Sequence, residues 1–423
     1  MGFATSWLNQ RALSPELIKE APDNQTGIII VVPAFDEPSI TPLLDSLNSC
    51  TEPDCKTEVL IILNAPENAS AESLSNNEKC IRNIKDWGKN NKSFFRLYVI
   101  NAGRSTKREW GVGLARKTGM DEAIRRFNSI GKPDGVIVSL DADCTVKQNY
   151  FISVSTELLN KKERSACSIY FEHPLSGGEF QGRIYSYVIL YELHLRYFIQ
   201  GLKYSEFPYA FHTVGSALAV KALPYVKAGG MNRRQAGEDF YFVQKLIPLG
   251  GYFALNATTV YPSPRESFRV PFGTGVMISR LMDDRGGQLM TYNTEAFREL
   301  KQLFVTAENL SSAGKPEVTQ YYHNLPPGLR SFIGEREWSD RMDEIKNNTS
   351  SHESFIKRFF IWFNMFRVVK YMNHVHSGML SKKAVADSAF DLLSITGLPF
   401  ASDDPEELLK YYRSLEKNEG RGG

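Results

Sequence analysis

The stretch that decides the reading is VIVSLDADCT, residues 136–145. Its apolar run, broken by one serine, stops at Asp141. One alanine then separates Asp141 from Asp143. A short, continuous, β-branched run suits a strand buried on both faces of a sheet. Two carboxylates one residue apart on extended chain point to opposite sides. One can therefore meet a hard cation while the other meets a neighbouring group. Mg²⁺ takes oxygen ligands and is often held by one or two carboxylates plus substrate phosphates.

Moving outward, three runs of the same kind precede it: Gly27–Val32, Glu58–Leu63 and Arg96–Ile100; the fourth, Gly135–Leu140, ends at the aspartates. Helical patterns lie between them. In GVGLARKTGMDEAIRRF, Val112, Ala115, Gly119, Ala123 and Phe127 recur at three and four residues and form a mostly small face, suited to lying close on a sheet. Further strands are expected at Ala166–Phe171 and Gly215–Val220, with a helix near Gln181–Tyr204 between them and another at Glu238–Ile247. The alternation predicts an α/β layer with a mostly parallel sheet.

Beyond residue 280 the pattern is helical, with charged faces at Thr294–Thr306, Glu335–Lys346, Ser354–Met372, Lys382–Leu393 and Glu406–Glu416. The expected organisation is an N-terminal segment 1–26, an α/β domain 27–279, a helical region 280–416 and a disordered tail 417–423.

The 423 residues carry 50 Lys+Arg against 48 Asp+Glu, a net charge of +2. That balance argues against a nucleic-acid partner. There is no secretory signal pattern and no run of apolar residues long enough to span a membrane. Five cysteines without paired spacing suggest reduced thiols in a cytoplasmic protein.

In open α/β sheets, ligands bind outside the carboxyl ends of the strands. The segments following the four strands are PAFDEP (33–38), NAPEN (64–68), NAGRSTKREWGVGLAR (101–116) and the Asp141–Asp143 step. Acids and bases collect at that one edge. Two later stretches add to them. Glu238 and Asp239 open a helix, where carboxylates are also stabilised by the helix dipole alone. Arg265 and Arg269 lie in a Pro- and Gly-rich loop, where they would clamp a phosphate or carboxylate or simply face solvent. His212, in YAFHTVGSA, is unassigned.

VVPAFDEP, SLDADC and AGGMNRRQAGEDFYFVQKL, in that order, resemble the family-2 nucleotide-sugar glycosyltransferases of GT-A fold, over about residues 27–275. The resemblance implies an inverting, non-processive transfer of one sugar from a nucleotide diphosphate donor, a UDP-sugar being favoured, to a hydroxyl of a sugar, lipid-linked or small-molecule acceptor. It implies that Pro33, Ala34 and Glu37 hold the nucleotide, with Asn64 near the base, and that Asp141 lies by ribose or donor sugar. Asp143, with Asp141, would hold Mg²⁺ or Mn²⁺. Asp239 would be the general base with Glu238 beside it. Arg104, Lys107 and Arg116 would add positive charge near the diphosphate.

The chain departs from the family pattern in three ways. Asn64 stands where members often carry an acid. There is no Arg-Trp pair of the processive synthases. No histidine follows the Glu-Asp helix before His323. The alternatives are a nucleotidyltransferase, against which PAFDEP lacks the glycine-rich basic signature, and a non-catalytic sugar-nucleotide-binding protein.

Residues 355–375, FIKRFFIWFNMFRVVKYMNHV, combine aromatics and bases. They read either as a core helix or as a helix lying in a bilayer interface, a peripheral contact at the inner face of the membrane.

Overall fold

The computed structural model describes residues 2–419 apart from 107–108, 235–236, 267–272, 284–287 and 399. Eight strands form one mixed sheet: β1 (Thr26–Ala34), β2 (Lys56–Pro66), β3 (Phe95–Ser105), β4 (Val136–Ser139), β5 (Thr145–Val146), β6 (Ala166–Phe171), β7 (Leu218–Lys221) and β8 (Tyr252–Tyr261). Their order is β3-β2-β1-β4-β7-β6-β8-β5. β3, β2, β1 and β4 are mutually parallel, β6 and β8 are parallel to each other, and β7 and β5 run against their neighbours. The sheet is mostly parallel, as the strand–helix alternation predicts.

All nine residues of β1 are buried. With a strand on each edge and side chains covered on both faces, every position sits in apolar surroundings. That is why the run is continuous instead of alternating. From β1 the strand order goes outward to β2 and β3 on one side and to β4 on the other. The carboxyl ends of β1 and β4 therefore flank a switch point, the place where an open sheet leaves a crevice.

Three strands extend past their expected ends, β1 through Ala34 and β2 and β3 further. β2 and β3 stay paired through Ala65 with Arg104 and Pro66 with Ser105, after a register irregularity between Leu63 and Ala65. Asn64 and Arg104, expected in loops, are strand residues. Pairing between neighbours sustains extended backbone where composition alone signals a loop.

The helix Val112–Ser129 lies as close to the sheet as its small face suggests. A Cβ on Gly119 would come within 2.4 Å of Val31 Cγ1 and 2.8 Å of Ile62 Cγ1. Its other side is also covered, by the N-terminal residues. Leu17 and Ile18 donate backbone N–H groups to the Glu122 carboxylate, and Leu13 donates to Asp121. Arg126 donates two bonds to Glu58 and one to the Glu20 carbonyl. Charges that periodicity assigns to solvent are buried here and satisfied.

The chain forms two compact units, each discontinuous in sequence. The first comprises residues 1–188, 211–283 and 416–423; the second comprises 189–210 and 284–415. In the first, the His212 ring accepts or donates at 3.0 Å with Glu416, and Asn256 donates to the Glu416 carbonyl at 2.6 Å. All five cysteines are free, and four are buried.

The second unit is helical. The helix expected over Ser354–Met372 is two, His352–Trp362 and Met365–Val375. The break falls at Asn364, whose side chain accepts from the Arg367 N–H and caps the second helix. Phe355, Phe359, Phe360 and Phe363 are buried; Phe360 and Phe363 pack on Phe304, and Trp362 packs on Trp338. Aromatics committed to a protein core are not offered to a bilayer, so the interfacial reading of residues 355–375 is replaced by the core reading. No helix among the described residues is long and apolar enough to cross a membrane.

Candidate active site at the sheet switch point

Two arginines organise the carboxylates. The first, Arg116, projects from the helix Val112–Ser129 and is only 4% exposed. Its Nη2 donates to Asp141 Oδ1, beyond β4, and its Nη1 to Glu238 Oε1, in the first turn of the helix Glu238–Leu246. Burial works against the charge on Arg116, and the negative charges of Asp141, Glu238 and Asp239 outweigh it, so the guanidinium stays protonated. Arg116, expected beside a diphosphate, is engaged here by the Asp141 and Glu238 carboxylates. It lies beneath the carboxylates and fixes them. Space for it depends on Gly215, where a Cβ would fall within 2.4–2.7 Å of the guanidinium.

Asp239 is the next residue of the same helix. The helix starts after Gly237, whose φ of +70° belongs to the left-handed region, readily adopted by glycine. Asp239 Oδ1 accepts from the Phe240 N–H at 2.7 Å. Burial, and then the adjacent charge of Glu238, push its carboxyl up to about 7, against the opposing pull of Arg116 and that N–H. A carboxylate poised near neutrality at a ligand edge is suited to moving a proton. Glu238, by contrast, is 2% exposed and committed to Arg116.

The second arginine is Arg265, in the segment after β8. Its Nε donates to Asp143 Oδ2 at 2.9 Å and its Nη2 to Glu37 Oε2 at 2.6 Å. It thereby joins the segment after β1 to the segment after β4. Asp141 and Asp143 part to different partners, as expected. The cause is a turn, closed by the Cys144 N–H on the Asp141 carbonyl at 3.1 Å, and not extended chain.

The remaining expected residues are placed differently. Pro33 and Ala34 are buried within β1, paired with Ile62 and Leu63. Asn64 is buried, and its Nδ2 donates to the Gly111 carbonyl at 3.2 Å. It holds the approach to the arginine-bearing helix. Arg104 is exposed on the extension of β3. Lys107 and Arg269 lie outside the described residues. His212 meets Glu416.

Asp36 was not anticipated. It adopts a φ of +53°, uncommon for a residue with a side chain. Three bonds hold it there. Its carboxylate accepts from Ser73 Oγ at 2.9 Å and Asn76 Nδ2 at 2.8 Å, and its N–H donates to Asn77 Oδ1 at 2.8 Å. This left-handed turn directs the chain from β1 towards Glu37. The only sequence signal is an aspartate, one of the residue types that tolerates the conformation, directly after a strand.

The donor set fits a hard divalent cation. Asp143 and Glu37 already converge on one cationic group, the Arg265 guanidinium. Among the described residues no group of three or more acidic, histidine or cysteine side chains surrounds a common point. A pair of carboxylates without a full protein cage is the arrangement Mg²⁺ accepts when substrate phosphates complete its shell.

The sequence matches no family model and no curated protein. Solved structures whose chain path is similar include S. aureus TarS 1-349 in complex with UDP-GlcNAc, at 13% identity and a TM-score of 0.37, covering 93% of this chain and 92% of that one. The mannosyltransferase PcManGT from Pyrobaculum calidifontis, in complex with GDP-Man and Mn²⁺, is 14% identical with a TM-score of 0.36, covering 99% and 93%. GalNAc-T7 with UDP, GalNAc and Mn²⁺ is 14% identical with a TM-score of 0.38, covering 80% and 58%. These are low likenesses of overall path, and the functional reading rests on the chain's own residues.

Proposed function

We propose that the chain is an inverting glycosyltransferase that moves one sugar from a nucleotide diphosphate donor, a UDP-sugar favoured, to an acceptor hydroxyl in a single, non-processive transfer. The observation that carries the reading is Arg116 joining Asp141, at the end of β4, to Glu238, beside the near-neutral Asp239. A proton acceptor thus sits at the carboxyl edge of the sheet, where an open α/β fold takes a nucleotide.

Asp239 takes the proton of the acceptor hydroxyl as that oxygen attacks the anomeric carbon. Glu238 keeps Arg116 in place and holds the Asp239 carboxyl high enough to accept a proton near neutral pH. Asp141 faces the donor's ribose or sugar, and the segment Pro33–Glu37 borders the nucleotide. Mg²⁺ or Mn²⁺ would be held by Asp143 with Glu37 beside it and, when bound, supplies Lewis-acid neutralisation of the leaving diphosphate. The acceptor is a sugar, a lipid-linked or a small-molecule hydroxyl.

A panel of UDP- and GDP-sugars with Mn²⁺ tests the reading. The wild type is expected to be stabilised against heat by a nucleotide diphosphate, as a ligand of the native state must do, and to release that diphosphate slowly from its sugar. Asp239→Asn should keep donor affinity and lower transfer by about 10²–10⁴-fold, the usual worth of general base catalysis. Stabilisation without any release would instead indicate a sugar-nucleotide-binding protein. No stabilisation by any nucleotide diphosphate would remove the reading altogether.

A further inference from the structure

Arg265 is the feature that the proposed reaction leaves unexplained. It follows Pro262, Ser263 and Pro264, where two prolines restrict the backbone. Its side chain turns inward, 17% exposed, and spans the two segments that border the switch point. Asp143 and Glu37 are the acids best placed for a divalent cation, and a monovalent cation is already on both. A guanidinium cannot be deprotonated to make room. A divalent ion bound to the same two carboxylates would face the guanidinium at close range, and the repulsion between the two positive charges disfavours holding both there at once.

A diphosphate changes that balance. It offers the planar fork of an arginine several anionic oxygens with matching geometry. It also supplies the ligands a Mg²⁺- or Mn²⁺-sized ion needs beyond its one or two carboxylates. An ion arriving alone is repelled by Arg265 on both carboxylates and offers the arginine no anion in exchange. An ion arriving with a diphosphate displaces the same arginine onto the phosphates.

Resting on the glycosyltransferase reading, we propose that Arg265 is an exchangeable internal cation. In the donor-free protein it holds Asp143 and Glu37; when metal and donor enter together it transfers to the donor's diphosphate. The consequence is a coupling: metal alone binds weakly, and metal and nucleotide diphosphate each strengthen the other by the same factor, as reciprocal linkage requires. The arginine thereby selects for a pyrophosphate-bearing ligand over a neutral sugar or a bare metal ion.

The test measures Mn²⁺ binding by paramagnetic resonance, without nucleotide and with saturating UDP or GDP, in the wild type, Arg265→Gln and Arg265→Lys. Free Mn²⁺–nucleotide complex is subtracted. The wild type is expected to bind Mn²⁺ alone poorly and to gain at least about tenfold when nucleotide is present, a coupling of about 1.4 kcal/mol. Arg265→Gln should bind Mn²⁺ alone more tightly than wild type and lose most of the gain. Arg265→Lys retains the charge and should resemble the wild type in Mn²⁺ alone. Melting curves confirm that all three proteins are folded.

Unchanged or weaker Mn²⁺ binding by folded Arg265→Gln, with the wild-type coupling intact, would overturn the exchange and leave the glycosyltransferase reading standing. If the wild type binds neither UDP nor GDP in the presence of Mn²⁺, the underlying reading fails and the exchange with it.

Discussion

Asp239 carries the sharpest expectation at the scale of a single residue. Its carboxyl is pushed from the ordinary range up to about 7 by burial and by Glu238. In its proposed role as base it must be unprotonated, so the acid limb of kcat/KM should lie near pH 7, with activity rising as pH rises through it. Glu238→Gln removes one negative neighbour and leaves Arg116 closer to undivided in its pull. The limb should move down, and an unmoved or raised limb would show that Glu238 does not set it. The same shift acts on stability. The folded state holds a proton that the unfolded state has lost, so between about pH 4 and 7 this residue's contribution to stability falls as pH rises. Calorimetric melting of wild type and Asp239→Asn across that window should converge at the acid end and separate towards neutrality, Asp239→Asn being the less pH-sensitive.

The acids of the site were legible because charge directly after a buried strand is conspicuous. The arginines' partners were not. Arg116 occurs in the second turn of its helix, where periodicity offers no reason to bury a charge. Only the meeting of β4 with the helix Glu238–Leu246 defines its role. The three bonds that hold Asp36 come from a helix about forty residues on, and such a separation leaves no local trace.

At the scale of elements, the approach of the helix Val112–Ser129 to the sheet decides a pair of substitutions. Alanine is about 1 kcal/mol better than glycine within a helix. At Gly88, near the end of the helix Ala71–Asn90, a Cβ meets nothing within 4 Å, so Gly88→Ala should stabilise by up to about 1 kcal/mol. At Gly119 the added methyl overlaps Val31 and Ile62, both buried in central strands that cannot yield. Overpacking of that kind costs about 1–3 kcal/mol, so the overlap prevails and Gly119→Ala should destabilise by about 1–2 kcal/mol. Urea midpoints of the two variants should shift in opposite directions; a stabilised Gly119→Ala would mean the helix stands further off. The close approach was readable from the small residues at helical spacing. The strand extensions of β2 and β3 were not, because they exist through their mutual pairing. The break at Asn364 had a weak signal, a capping residue inside an apolar run, which the surrounding aromatics masked.

For the molecule as a whole, the aromatic stretch 355–375 distinguishes a core from a membrane contact. Trp362 packs on Trp338, Phe359 and Phe363, with Arg367 over its ring at 4.9 Å. Trp362 is only partly buried, so truncating it costs less than the roughly 3–5 kcal/mol of a fully buried aromatic. The indole Nε1 has no hydrogen-bond partner here, so its removal also relieves an unsatisfied group. Trp362→Ala is therefore expected to destabilise by less than about 3 kcal/mol, by chemical denaturation. Co-sedimentation with anionic vesicles at low salt should recover neither the wild type nor the variant in the pellet; recovery of the wild type would reopen the interfacial reading.

The pairing of His212 with Glu416 has a consequence in time. The two residues are 204 positions apart, and both belong to the first unit. A ribosome adding about 5–20 residues per second makes the later partner roughly 10–40 s after the earlier one. For that interval His212 and Asn256 are without the Glu416 groups they meet in the finished fold. The first unit therefore cannot complete itself in the order in which it is synthesised. Most of the helical second unit is translated within the same delay, and the first unit takes these late partners only afterwards.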